Sequence, residues 1–327
     1  MYQARLLNRH QIEDGRWDAF VDEHCDDIIY FHTWFLDGAS DCWQAIIVEQ
    51  NDLLVAIMPL QLKQWLGMYY SLQPLFCKYL GVVFCKEIAG TDSHHIQKKL
   101  LKLIIAALPR PLIYFNASFH AGFSNFLPFY WARFTVVPKM TYRLNLEGRQ
   151  QFSTSITNHL RKAVGNYLQS NIQSDSATII ALAKERGLFN ERSLLNFKHL
   201  WDQLSKRKNN LLLTVSDASG GIHSAAAFCT EGQKVFMLFS VVREPVKSQG
   251  ANALLLTEAI NHYRKCGKTW FYFEGSMFEN VEAYLSGFRP EPILYFGISK
   301  GILPLTEQLF IPIYKKLQRI KAKIAGL

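Results

Sequence analysis

Lys234-Val-Phe-Met-Leu-Phe-Ser-Val-Val242 runs into Arg243-Glu-Pro-Val-Lys-Ser-Gln-Gly-Ala-Asn252, then Ala253-Leu-Leu-Leu-Thr-Glu-Ala-Ile-Asn-His-Tyr263, then Thr269-Trp-Phe-Tyr-Phe273 and Glu274-Gly-Ser276. The first segment is rich in β-branched and aromatic residues and reads as a strand; the third has helical spacing; the fourth is a second strand beyond the break at Cys266-Gly267. A strand, a Gly-containing loop at a helix N-terminus and a parallel return strand form an anion cradle. Unpaired backbone N–H groups and the positive helix end face whatever sits there.

Outward from this run, the composition sets limits. A chain of 327 residues favours two domains, each able to bury its own core. A hydrophobic content of 49% excludes a disordered chain. The N-terminal residues lack the apolar region of a signal peptide and no run reaches the length of a membrane span, so a cytoplasmic location is expected. The six cysteines show no CxxC or zinc spacing, and His94 and His95 have no third ligand nearby, so no metal is expected. Residues 299–327 carry +5 of the formal +9 charge, which points to an anionic partner near the C-terminus rather than to a dedicated nucleic-acid protein.

The two halves repeat one plan. In the first, strands over Trp43–Val48, Leu53–Leu62, Tyr69–Leu72 and Leu80–Phe84 precede a helix capped by Ser93, stopped by Pro109 and followed by the strand Leu112–Phe115. In the second, helices over Gln151–Gln169 and Asn190–Lys206 precede a hairpin, Leu211–Val215 with Ile222–Thr230, and then the opening run. A helix near Val281–Leu285 and a strand at Ile293–Ser299 close it. On the 151–169 helix, Phe152, Ile156, Leu160, Val164 and Leu168 are expected on one apolar face. Tyr114-Phe-Asn-Ala-Ser118 and Tyr272-Phe-Glu-Gly-Ser276 occupy the same place in the two plans, which indicates an internal duplication with its seam near Pro138–Tyr142. Asn116 stands where the second copy has Glu274 and cannot act as a base, so the second copy is expected to do the work.

Glu274-Gly-Ser-Met277 after an aromatic strand, Ala283-Tyr-Leu-Ser-Gly-Phe288 and Glu291-Pro292 resemble the FemAB-like branch of the GNAT acyltransferase superfamily. So do Thr141-Tyr-Arg-Leu-Asn-Leu146 and the helix bearing His159-Leu-Arg-Lys-Ala163. The resemblance covers about residues 141–299. It implies an α/β protein of two tandem GNAT-like modules, each a mixed, mostly antiparallel central sheet flanked by helices. The expected division is a degenerate module over 1–140, a module with the donor site over 141–300, and a basic amphipathic helix over 301–327. The implied reaction is direct transfer of an acyl or aminoacyl group to an amine, without a covalent enzyme intermediate.

The resemblance places acyl-CoA or acetyl-CoA on the loop opening the central helix, at Lys247, Gln249, Gly250, Ala251, Asn252 and Ala253. Lys247 and Gly250 keep the family's pattern, whereas Asn252 replaces a small residue. Val241 and Val242 would offer backbone groups to an extended donor. Glu274 is the candidate general base, against the plainer role of a cap or ion-pair partner. Tyr284 is the candidate acid, against that of a core aromatic. Arg161, Lys162, Ser240 and Ser276 are candidates for contacting the acceptor, although two adjacent charges are most often a solvated face. The resemblance leaves open an aminoacyl-tRNA donor with a cell-wall precursor as acceptor, and a non-catalytic binding module supported by Asn252. Ile313, Leu317, Ile320 and Ile324 opposite the tail's lysines can dock on the body or meet an anionic membrane.

Overall fold

The structure is a computed structural model that describes residues 1–148, 150–243, 249–275 and 277–302. Strands and helices follow in this order: β1 (Tyr2–Asn8), α1 (Asp14–His24), α2 (Thr33–Ala39), β2 (Gln44–Gln50), β3 (Leu53–Leu60), β4 (Leu62–Trp65), β5 (Met68–Ser71), β6 (Val83–Phe84), α3 (Lys86–Ala89), α4 (His94–Ala107), β7 (Leu112–Phe119) and α5 (Leu127–Trp131). The chain continues with β8 (Thr135–Asn145), α6 (Thr154–Gly165), β9 (Gln169–Gln173), α7 (Ala177–Glu185), α8 (Glu191–Lys206), β10 (Asn210–Ser216), β11 (Ile222–Glu231), β12 (Lys234–Val242), α9 (Ala251–Lys265), β13 (Trp270–Tyr272), α10 (Glu279–Leu285) and β14 (Glu291–Gly301). Two compact units divide it: Met1–Pro138 with Tyr295 onward, and Lys139–Leu294. The tail expected to be a basic helix, from residue 303, lies outside the described residues, as do Lys247 and Ser276.

In the first unit, one sheet has the order β1-β2-β3-β6, antiparallel throughout. Helix α4 covers β1 and β2 with Leu100, Leu101 and Ile104, all fully buried. Its N-terminal residue Ser93 does not cap it: the Ser93 hydroxyl donates instead to Glu87 O at 3.2 Å. The remaining strands run β4-β5-β7-β14, with β5 and β7 parallel and the outer pairings antiparallel.

The second unit has the order β8-β13-β12-β11-β10-β9, with β12 and β13 its parallel pair and the other pairings in this order antiparallel. Its core is the face where Phe228, Val235, Phe271 and Phe273 meet Leu255, Leu256, Ala259 and Ile260 of α9. Together with Ala251 and Ala253, these residues give α9 apolar contacts around most of its circumference, as expected of a central helix. Asn190 caps α8, its Oδ1 accepting the Ser193 N–H at 2.8 Å. Helix α6 is shorter than the 151–169 expected, and Val164 is 72% exposed rather than in the core. A four-residue spacing outruns the 3.6-residue turn, so the buried stripe passes from Ile156 to Ala163 and leaves Val164 outside.

The duplicated plan is visible in strand orientation. β4-β5-β7-β14 and β11-β12-β13-β8 each read antiparallel, parallel, antiparallel, with a helix connecting the parallel pair. Tyr114 and Tyr272 hold the same place: each pairs in parallel with one neighbour (Tyr70, Phe236) and antiparallel with the other (Gly301, Arg143).

Candidate functional site

The second unit's parallel pairing covers only Lys234↔Trp270, Val235↔Phe271 and Phe236↔Tyr272, whereas β12 continues to Val242. Past Tyr272 the chain bonds to the other side, Phe273 N–H donating to Tyr142 O at 3.0 Å. The β12–β13 ladder therefore ends at Phe236, and Val241 and Val242 lie beyond it. Backbone N–H and C=O groups on a strand that outruns its ladder can bond an extended ligand. A register shift in the β11–β12 ladder beside Ala227 and Phe228 falls within this same stretch.

The first unit closes the corresponding place with its own chain. Gln73 Oε1 accepts the Ser118 N–H at 2.5 Å, Gln73 Nε2 donates to Lys78 O at 2.7 Å, and Leu80 N–H donates to Ser118 O at 2.8 Å. Both backbone groups of Ser118 are thus taken. With Asn116 in the position of Glu274, this unit also lacks the carboxylate.

At the mouth of the second unit's opening, Gly250 caps α9 with φ +86°. A Cβ there would lie 2.0 Å from His159 O of α6. The glycine is required by its left-handed backbone and by the α6–α9 approach, whatever binds at the helix end. Ala251 and Ala253 are buried, and no acidic residue occupies the first turn of α9, so that turn leaves the positive helix end uncompensated. Gln249 is half-buried just before the helix.

Asn252 turns inward, its Oδ1 buried without a hydrogen-bond partner of good geometry among the described residues. Its side chain lies beside the Tyr284 hydroxyl, which is also buried and without such a partner. Burial pushes that hydroxyl's pKa well up, with Asn252 pulling weakly the other way. Tyr284 packs edge-on against His159 (6.2 Å between ring centres) and Phe288 (5.8 Å). The structure thus brings together Gly250, Asn252, His159 and Tyr284.

Glu274 follows β13 in the left-handed region, φ +55°, unusual for a residue with a side chain and a feature that concentrates at functional sites. Its Oε2 is buried. Its carboxylate acts electrostatically on the Tyr272 hydroxyl. Burial pushes Tyr272 up, Arg143 pulls it down, and Glu274 and Glu291 push it up again. Arg143, paired in register with Tyr272, lies 3.9 Å over the Trp270 ring and bonds Glu291 at 3.1 Å. Tyr272 stacks on Phe236 at 5.1 Å. Thr141, fully buried, donates to Gly275 O at 3.5 Å. Sequence reasoning missed Tyr272 as a neighbour of Glu274, and Arg143 as the partner of Tyr272. The signal was the alternation in Thr141-Tyr-Arg-Leu-Asn-Leu146, which places Thr141 and Arg143 on one strand face.

Val241 is buried, while Ser240 and Val242 are half-buried. Arg161 and Lys162 are exposed on α6, and Arg161 donates to Asn158 Oδ1 of its own helix at 3.0 Å. Cys77 and Cys85 are held up by burial, Cys77 far above the thiolate range and Cys85 to about 11, which removes both as nucleophiles at neutral pH.

No family model matches the chain, and no curated protein matches it by sequence. Solved structures do. FemX is 12% identical, with a TM-score of 0.58 over 93% of this chain and 98% of that one. A tandem GNAT protein from the clavulanic acid biosynthesis pathway is 7% identical, with a TM-score of 0.56 over 93% and 99%. The C-terminal domain of a putative lysylphosphatidylglycerol synthetase from Agrobacterium fabrum is 10% identical, with a TM-score of 0.53 over 93% and 95%. Similarity at this level of identity concerns the fold, and it spans nearly the whole of each chain. This chain has the tandem GNAT fold.

Proposed function

We propose that the protein is an acyltransferase that moves an acyl or aminoacyl group from a thioester donor, acyl-CoA, to an amine by direct attack. The observation that carries this reading is that the β12–β13 pairing stops at Phe236 while β12 runs on to Val242, with Glu274 just past the end of β13 and α9 opening at Gly250 after β12. An extended donor arm bonds to the β12 edge at Val241 and Val242. Its phosphates meet the α9 N-terminus at Gln249, Gly250 and Ala251, with Lys247 adding a cation. Glu274 takes the proton from the attacking amine, directly or through water, and Tyr284 gives a proton to the leaving sulfur. The inward turn of Asn252 favours this over a module that has lost its donor, because the side chain does not stand in the donor's path. Ser240, Ser276, Arg161 and Lys162 would contact the acceptor.

An aminoacyl-tRNA donor acting on a cell-wall precursor is the second reading, implied by the FemAB-like resemblance. It shares the amine attack and Glu274. A structural neighbour whose name denotes synthesis of lysylphosphatidylglycerol, an aminoacylated lipid, keeps an aminoacyl group in view.

The test is single-turnover transfer from acyl-CoA to a panel of amines, with the full chain and its Glu274→Gln variant. We expect the variant to lose roughly 100-fold in rate with donor affinity unchanged. Equal rates in the two chains would remove Glu274 from the chemistry. No transfer from any thioester, with transfer from aminoacyl-tRNA, would move the donor to the second reading.

A further inference from the structure

Residues 93–138 contain Lys98, Lys99, Lys102, Arg110 and Arg133 and not one Asp or Glu. This acid-free stretch builds α4, β7 and α5 of the first unit. On α5, Leu127, Tyr130 and Trp131 fall at i, i+3 and i+4 and share a face, while Pro128 and Phe129 are buried on the other. The shared face is turned to solvent: Leu127 is 41% exposed, Tyr130 62% and Trp131 52%. Lys102 of α4 places its ammonium 5.8 Å from the Trp131 ring centre, and Arg133 is exposed just beyond the helix. Lys98, one turn before Lys102, lies on the same side of α4.

We propose that this face of α4 and α5 docks the protein on an anionic bilayer surface, with Leu127, Tyr130 and Trp131 entering the interface and the lysines and Arg133 meeting lipid phosphates. An aliphatic residue, a Tyr and a Trp on one outward face, with Lys102 against Trp131, Arg133 just beyond the helix and no carboxylate in residues 93–138, match the chemistry of a membrane–water boundary. There the aromatic rings sit at headgroup depth and each nearby cation adds to the attraction. A nucleic acid would use the cations and could stack on the rings, but offers nothing to Leu127. The acid-free stretch selects the charge of the partner, and the helix face selects its apolar character. The docking is independent of the transfer reaction and of the basic tail, and adds a location to whatever acceptor the second unit uses.

The experiment is co-sedimentation of the full chain with vesicles of phosphatidylcholine alone and of equal parts phosphatidylcholine and phosphatidylglycerol, with a tRNA mixture as competitor. Binding is expected to the anionic vesicles only. Tyr130→Ala with Trp131→Ala should weaken it roughly tenfold, and Lys102→Glu or Arg133→Glu about fivefold or more each. All four side chains are at the surface, so melting temperatures should stay unchanged, and the charge variants check the aromatic pair independently. A chain with Lys315, Lys316, Arg319 and Lys321 replaced by Gln should still bind. Three results would overturn the proposal: no binding to anionic vesicles, binding lost with the tail substitutions and not with those on α4 and α5, or tRNA binding that depends on the same residues while vesicle binding does not.

Discussion

The carbonyl oxygen of His159 on α6 and the α-carbon of Gly250 at the start of α9 approach so closely that a Cβ on Gly250 would lie 2.0 Å from that oxygen. The close approach sets the α9 N-terminus against α6 and fixes the direction of its first N–H groups. Gly250→Ala adds both this collision and the cost of φ +86° for a residue with a side chain. We expect a loss of roughly 2–4 kcal/mol in urea unfolding, before any donor is added. An unchanged midpoint would mean that α6 and α9 are not held together at this point.

The neighbouring pair, Asn252 and Tyr284, predicts the opposite sign. The Tyr284 hydroxyl is buried without a well-formed hydrogen bond among the described residues, so Tyr284→Phe removes an unsatisfied polar group without opening a cavity. Stability should hold or rise by up to about 1 kcal/mol. If the hydroxyl also serves the leaving sulfur, turnover falls while the melting temperature does not. A destabilised variant with full turnover would show that the hydroxyl is structural.

A third prediction concerns acid. In the β10–β11 turn the Asp217 carboxylate accepts from Ser219 Oγ (2.6 Å), from His223 (2.8 Å) and from the N–H groups of Ser219 and Gly221 (both 2.9 Å). Ser219, then His223 and Gly221, hold its pKa well below the usual carboxylate range. A carboxylate lowered on folding contributes stability that is fully present above its unfolded pKa of about 3.9 and is lost as pH falls below that value. Urea midpoints from pH 5 downward should therefore fall less steeply for Asp217→Asn than for the parent chain. Parallel curves would show that this turn does not contribute to the acid limb.

Much of the architecture was legible because local signals and burial agree. Asn190 announces α8 and caps it, and the aromatic run at 270–273 sits where its pattern places it. The signals failed where a tertiary contact decides. Ser93 has cap chemistry but bonds back to Glu87, and Val164 keeps a four-residue rhythm that the helix does not. Strand β9, Gln-Ser-Asn-Ile-Gln, is mostly polar and joins the sheet as its outermost strand, so its pattern carries little information. At the site, Glu274 and Gly250 were readable as residue types at the ends of elements. That Gly250 answers to His159, that Asn252 faces Tyr284, and that Arg143 meets Tyr272 depend on strand register and helix packing between segments distant in the sequence.

The central claim is that the second unit holds a phosphate-bearing thioester between β12 and the α9 N-terminus. Gln249→Glu tests it without touching the α6–α9 packing. A carboxylate just before the helix favours α9 itself through the dipole but repels the donor's phosphates. Calorimetric titration of the full chain with coenzyme A and acetyl-CoA should show saturable binding, weakened roughly tenfold or more by Gln249→Glu, with an equal or higher melting temperature in the variant. Binding that ignores the substitution, or no binding to the parent chain, would contradict the account.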